Sequence, residues 1–383
     1  MLFNSCQCGP ARGLSRRDVL CAGGAGFVSA LVSALIDGSR TARAQTLGDS
    51  APVVDRLAVR MVTDNTVLQF VPNLKIEGLA VERTGSNASP DHPPRAALKG
   101  EWGLSMHAES QRGDEIRNVM IDFGFTPETL LNNMDLLKID PSRFDALVLS
   151  HGHYDHFGGL VGFLSATKGA LKSRMPLFVG GEDAFCTRIS GASSQFGALD
   201  RKAIIDADLS LMMAEGPSVV ADHGFTTGTI AQSTFEKPLQ PTKEKVGVVG
   251  GFGCFADKLP AAKNTGDWVP DDFQHEIATS YVVKGKGLVV LASCSHRGVL
   301  NTIRQAQLVS GVQKVHAVIG GFHIVPPLTE TYMRDVVDGL KAIDPDYIMP
   351  AHCTGERFYD IARAALPDRV VHCAVGTRFV FES

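Results

Sequence analysis

Five short apolar runs in this chain share one construction: each delivers a metal-binding type of side chain just past its end. Asn118-Val119-Met120-Ile121 leads into Asp122, Ala146-Leu147-Val148-Leu149 into Ser150-His151, and Leu288-Val289-Val290-Leu291 toward His296. Val315-His316-Ala317-Val318-Ile319 leads into Gly320-Gly321-Phe322-His323, and Tyr347-Ile348-Met349 into Pro350-Ala351-His352. Short aliphatic and β-branched runs bounded by Gly, Pro, Ser or Asp read as buried strands. Amphipathic patterns at 128–137, 299–309, 330–343 and 357–365 read as helices. Strands alternating with helices predict an α/β fold, with sheets covered by helices.

Composition narrows the function classes. The 383 residues are 44% hydrophobic and 20% charged, which suits one large α/β domain or two average ones. A net charge of −4 supplies no basic field for nucleic acid or anionic lipid. A mean hydropathy of +0.05 argues against a multi-span membrane protein. Eight cysteines are too sparse for a disulfide scaffold.

The first 44 residues read as a cleaved signal. Ser15-Arg16-Arg17-Asp18-Val19-Leu20 precedes a weakly apolar run from Cys21 to Ile36, and Ala42-Arg43-Ala44 supplies an A-x-A cleavage pattern. The run is short and Gly-diluted for a membrane span. The paired arginines resemble the bacterial twin-arginine signal, with Val19 where that signal prefers Phe. The expectation is export to the periplasm by the twin-arginine machinery, without stable membrane insertion. The mature chain, 45–383, keeps Cys186, Cys254, Cys294, Cys353 and Cys373, an odd number that cannot all pair within one chain. No spacing among them makes a CxxC zinc site.

The stretch 166–275 is loop-rich and reads as a large insertion forming a pocket wall or lid. Its glycine cluster, 247–253, lacks both the GxxxxGK[ST] and GxGxxG spacings, so it reads as a structural turn.

The strongest local signal is Ser150-His151-Gly152-His153-Tyr154-Asp155-His156-Phe157-Gly158-Gly159. Three imidazoles and a carboxylate follow a buried strand directly. Gly152 is expected to keep the loop tight. One pair of donors can face one cation and the other pair a second cation beside it. Neutral imidazole and carboxylate suit zinc, and they also suit iron or manganese.

The motif resembles the metallo-β-lactamase superfamily, whose order is an early Asp, HxHxDH, a lone His, usually an Asp, then a last His. Asp122, the motif, His296 in Cys294-Ser295-His296-Arg297-Gly298, and His352 in Pro350-Ala351-His352-Cys353-Thr354-Gly355 follow that order. Thr63-Asp64-Asn65-Thr66 and Glu101-Trp102-Gly103-Leu104-Ser105 also match a subgroup. It carries the label 7,8-dihydropterin-6-methyl-4-(β-D-ribofuranosyl)aminobenzene-5'-phosphate synthase-like.

The resemblance implies an αββα sandwich with one or two zinc ions at its edge. His151, His153 and His296 would hold the first metal, and Asp155, His156 and His352 the second. Asp122 would support a ligand histidine by hydrogen bonding. One departure stands out: Gly320-Gly321-Phe322-His323 occupies the place of the usual bridging Asp, so His323 would ligate one metal or donate to substrate. The implied activity is hydrolysis of an ester, lactone or phosphoester bond in a small molecule by a metal-bound hydroxide. Asp155 would orient the hydroxide and His323 would stabilise the oxyanion. The alternatives are a synthase-like transferase and a non-hydrolytic metal-binding member. His316 reads as structural, and His92, His107, His223, His275 and His372 lack motif context. Cys294 and Cys353 beside the expected ligands read as buried thiols.

Overall fold

A computed structural model describes residues 46–85, 88–191, 194–239 and 242–383. The expected signal at 1–44 lies outside the described residues. No helix among the described residues is long and apolar enough to cross a membrane.

Two sheets carry the fold. The larger, nine strands among the described residues, runs Ser210–Met213, Pro176–Val179, Ala146–Leu149, Glu115–Ile121, Ser105–Arg112, Arg56–Thr63, Thr377–Glu382, Leu79–Arg83, Leu74–Ile76. Its first four strands are parallel and the rest pair antiparallel. The smaller sheet runs Ser218–Val220, Gly224–Thr226, Thr279–Val283, Gly287–Ala292, Val315–Gly320, Tyr347–Pro350, with Val53–Val54 alongside Thr279–Val283.

Strict alternation explains the unbroken apolar runs. In Gly287–Ala292, Val289 and Leu291 pack into the core between the sheets, while Leu288, Val290 and Ala292 pack outward. In Ala146–Leu149, Ala146 and Val148 face that same inner core, and Leu147 and Leu149 face the opposite outer layer. Strands buried on both faces need no polar positions, so their sequences lose the alternation of half-exposed strands.

The helices Val299–Ser310, Glu330–Ile343 and Glu356–Ala365 cover the smaller sheet, through Leu300, Val336 and Phe358 among others. Pro127–Leu136, Leu160–Ala166 and Arg201–Asp206 cover the larger one, through Leu130, Phe163 and Ile204. The layers are therefore helix, sheet, sheet, helix, as expected from the resemblance. The four helices expected from sequence all form, within a residue or two of the expected bounds.

The stretch 166–275 divides. Pro176–Val179 and Ser210–Met213 extend the larger sheet, and Ser218–Val220 and Gly224–Thr226 extend the smaller one. What lies outside both is a four-stranded antiparallel sheet, Ser194–Gly197, Thr187–Ser190, Thr242–Lys245, Val269–Pro270, and a hairpin of Gly247–Val249 with Phe252–Cys254. The glycine cluster is that hairpin, tied by a disulfide between Cys254 and Cys186. Cys294, Cys353 and Cys373 remain free and buried.

Candidate metal centre

The site is assembled where strands of both sheets end. Asp122, Ser295, His323 and His352 all adopt left-handed backbone conformations, with φ of 57°, 59°, 46° and 50°. Such residues are uncommon outside glycine and cost of order 1–3 kcal/mol each unless the surroundings enforce them. Here buried carboxylates enforce two of these turns. Glu276 accepts the backbone N–H groups of His296 and Arg297 at 2.7 and 2.8 Å. Asp64 accepts the N–H of His352 at 2.8 Å, while Asn65 donates to the His352 carbonyl at 3.0 Å. The Ser295 hydroxyl donates to the Gly321 carbonyl at 2.9 Å, joining two of the loops.

Hydrogen bonding then fixes which nitrogens are bare. Asp122 accepts the Ser150 N–H through Oδ1 and the Ser150 hydroxyl through Oδ2, each at 2.8 Å. Having spent its single proton on the carboxylate, that hydroxyl accepts from His151 Nδ1–H at 2.9 Å. His156 Nδ1 donates to the same Oδ2 at 2.8 Å. Both rings therefore carry a proton on Nδ1 and turn Nε2 inward. His151 Nε2 faces His296 Nε2 at 3.2 Å, and His156 Nε2 faces His352 Nε2 at 3.2 Å.

Electrostatics divide the rings. Burial drives the pKa of His151 and His296 well below the ordinary imidazole value, and that of His153 down to about 3, so these rings are neutral. Burial opposes charge on His156 as well, but Asp122 and Asp155 outweigh it and lift its pKa to about 9, so without a cation beside it this ring holds a second proton on Nε2, which a metal would displace. Burial likewise opposes the Asp155 carboxylate, yet His156 and His352 hold it well below the usual range. Asp155 Oδ2 lies 3.3 Å from His352 Nε2 and 3.8 Å from His156 Nε2.

The donors fall into two trios, His151 with His153 and His296, and Asp155 with His156 and His352, the ligand atoms of each within 4.8 Å of one another. These are the residues singled out from the sequence, and the fold brings all six together. His323 joins them, its ring 4.1 Å from that of His296. It is half-buried where the other five histidines are buried. Among the described residues, buried His153 Nε2, His296 Nδ1, His323 Nδ1 and His352 Nδ1 find no hydrogen-bond partner. Each 3.2 Å pair of ring nitrogens needs a proton or a cation between its members. Two imidazole nitrogens on one tetrahedral zinc sit roughly 3.3 Å apart, so these residues fit a metal.

Other residues at the site were given no metal-binding role from the sequence, though Trp102 lies in a stretch that matches the subgroup. Phe273 stacks on His296, with ring centroids 4.0 Å apart, and meets His153 edge-on. The Trp102 ring lies 5.1 Å from that of His352. His275 sits 6.5 Å from His151, bonded to Asp183 and Arg188. Gly152 has a role other than the expected one. Its φ is not left-handed; a Cβ there would meet the Ala184 carbonyl at 2.5 Å and Arg188 Nη1 at 2.6 Å. The glycine makes room for a buried arginine cluster under the loop. His316 is structural, bonded to Asp346 and the Gly78 carbonyl.

Fold and site together define the class: the chain belongs to the metallo-β-lactamase superfamily, whose family model matches residues 113–176. It is 30% identical over 295 residues to the 7,8-dihydropterin-6-methyl-4-(β-D-ribofuranosyl)-aminobenzene-5'-phosphate synthase of Methanocaldococcus jannaschii, covering 74% of this chain and 89% of that one. An uncharacterized protein of the same organism is 28% identical over 247 residues, covering 63% of this chain and 81% of its own. Among solved structures, a metal-dependent hydrolase of the β-lactamase superfamily superposes with a TM-score of 0.61 at 20% identity, covering 84% of this chain and 98% of that one.

Proposed function

We propose that this protein is a metal-dependent hydrolase acting on an ester, lactone or phosphoester bond of a small molecule. The observation that supports it is the convergence of two buried trios of donors, with His151 and His156 oriented by Asp122 and the Asp155 carboxylate beside His352. His151, His153 and His296 would hold one cation, and Asp155, His156 and His352 the other. Zinc suits this donor set, and iron or manganese would be accepted by it. When bound, the metal supplies Lewis acidity and an acidified water at neutral pH.

The chain's own groups supply the rest. Asp122 keeps His156 and, through Ser150, His151 in the tautomer that presents Nε2. Asp155, its side chain 16% exposed, can accept a hydrogen bond from the attacking water and hold it in line. His323, half-buried with its ring 4.1 Å from that of His296, would donate to the oxygen on which charge develops. Trp102, 53% exposed beside His352, offers a flat apolar face to substrate.

The experiment is metal analysis of wild type, His153→Ala and His323→Ala, followed by a screen of ester, lactone and phosphodiester substrates. Near two equivalents of metal, lost with His153→Ala, together with a hydrolysed substrate, is the expected result. No metal in the wild type would overturn the reading.

A second reading rests on the similarity to the M. jannaschii synthase. Under it the same site joins a pterin to a phosphorylated partner. Formation of such a conjugate, with no hydrolysis of the screened esters, would assign that reading instead.

We also propose that residues 1–44 direct export through the twin-arginine pathway. The paired Arg16-Arg17 supports this, as does the Cys186–Cys254 disulfide, which suits an oxidising compartment. Cell fractionation of wild type and an Arg16→Lys, Arg17→Lys variant tests it; equal periplasmic yield would overturn it.

A further inference from the structure

Cys294 stands two residues before His296, at the end of the strand Gly287–Ala292. The left-handed turn at Ser295, with its hydroxyl pinned to the Gly321 carbonyl, separates the two side chains along the loop. The Cys294 thiol is fully enclosed and lies among the imidazoles. Its Sγ is 3.2 Å from His156 Nε2. It groups within 4.8 Å with His151 and His156 together, with His296 and His323, and with His352 and Cys353. It is therefore in reach of donors from both metal trios. A sulfur and a nitrogen bound to the same tetrahedral zinc lie about 3.5 Å apart, given bond lengths of about 2.3 and 2.0 Å. The observed separation is of that order.

We propose that Cys294 is itself a metal-ligating residue, whose thiolate would add a donor within reach of both trios. This rests on the metal-dependent reading above. Binding exchanges the S–H bond for an S–metal bond, and the proton leaves to solvent. A coordinating thiol beside a divalent cation is deprotonated outright. The site thereby gains an anion at its centre in addition to Asp155 at its edge. A thiolate also narrows the choice of metal toward softer ions such as zinc or ferrous iron, and away from magnesium and calcium.

Cys353 competes for the role. Its Sγ lies 3.2 Å from that of Cys294, and it also contacts the Cys294 carbonyl. It lies with His352 and meets His323, whereas Cys294 groups with five imidazoles drawn from both trios and His323.

The test loads reduced, metal-stripped protein with cobalt(II). Wild type and Cys353→Ser are expected to show an intense near-ultraviolet thiolate-to-cobalt charge-transfer band. Cys294→Ser, nearly isosteric, is expected to lose the band and to bind at least one equivalent of cobalt roughly tenfold or more weakly. Far-ultraviolet circular dichroism checks that the variant is folded, and Cys294→Ala repeats the measurement without a hydroxyl donor. Cobalt bound by wild type without the band, or a band that survives both Cys294 changes, overturns this inference and leaves the hydrolase reading standing. A Cys294–Cys353 disulfide that persists in metal-loaded protein, read by thiol-labelling mass spectrometry, overturns it equally. Failure of wild type to bind any cobalt overturns both.

Discussion

Replacing Asp122 with Asn keeps its size but removes the acceptor that orders two imidazoles at once. An amide can turn an N–H toward Ser150 or His156, and either choice releases a ring to expose the wrong nitrogen. Asp122→Asn should weaken metal binding roughly 10- to 100-fold while the protein remains folded. Competition with a chromogenic chelator reads this directly. Gly152→Ala should instead cost stability, about 1–3 kcal/mol, because its methyl group would press on the Ala184 carbonyl and Arg188. A denaturant melt measures that loss. The residues legible in the sequence were those packed into one motif or placed at a strand end. His151, His153, Asp155 and His156 span six positions, and their spacing alone marked them. Glu276 and Phe273 gave no such mark, and Asp64 stood out only in a stretch matching the subgroup, with no role attached, because each acts on the site from a distant part of the chain. Asp64 reaches His352 across 288 residues of sequence. Gly152 was singled out for the wrong reason, since the arginine that crowds it lies 36 positions away in the chain.

At the scale of elements, the four-stranded sheet is held to the site by one buried ionic cluster. Arg188 donates to Asp271 at 2.6 Å and to Glu244 at 3.2 Å, and Lys263 contacts Asp183 and Glu244 at 3.0 Å each. Burial and the neighbouring Asp183 push the Glu244 pKa up to about 9. Against burial, His275 and Arg188 hold Asp183 well below the usual range, and Arg188 lowers Asp271. With Glu244 protonated, Arg188 and Lys263 face the buried anions Asp183 and Asp271, and Lys263 also reaches the more exposed Asp272 at 2.7 Å. Removing the arginine, as in Arg188→Met, strands buried carboxylates and should cost about 3–5 kcal/mol. The pH dependence has two arms of opposite sign. Asp183 and Asp271 bind protons more weakly folded than unfolded, so their contribution is present above about pH 4 and fades as pH falls further. Glu244 binds its proton more tightly folded, so its contribution is full below about pH 4.5 and is lost as pH rises toward 9. Glu244→Gln should remove that second arm. Its melting temperature should gain on wild type steadily between pH 5 and 9, and parallel curves would exclude the shared proton. The helices and strands were legible because both faces of the central strands are apolar. This cluster was not, because single charges scattered over 183–271 acquire meaning only when three strands converge.

At the scale of the molecule, the disulfide closes a loop of 68 residues that includes part of the larger sheet, part of the smaller and the outer hairpin. Cys186→Ser with Cys254→Ser should cost roughly 4 kcal/mol on the chain-entropy account. Reductant should lower the melting temperature of wild type and leave that of the double variant unchanged. Stripping the metal should lower the melting temperature further, in proportion to the logarithm of metal concentration over Kd, with the far-ultraviolet spectrum retained. The αββα layering followed from the family resemblance and from the run of strands and helices. How 166–275 is shared between the two sheets did not, since its strands are short and partly exposed.

The carboxylates that grip the backbone of the ligand loops set an order of events. Glu276 and Asp64 take main-chain N–H groups and touch no metal-facing nitrogen, so the turns that carry His296 and His352 are completed by the polypeptide alone. The ion would then arrive at loops already turned toward it, and its own part would be to draw the ring nitrogens together. Such a chain can complete its folding in one place and acquire its metal in another.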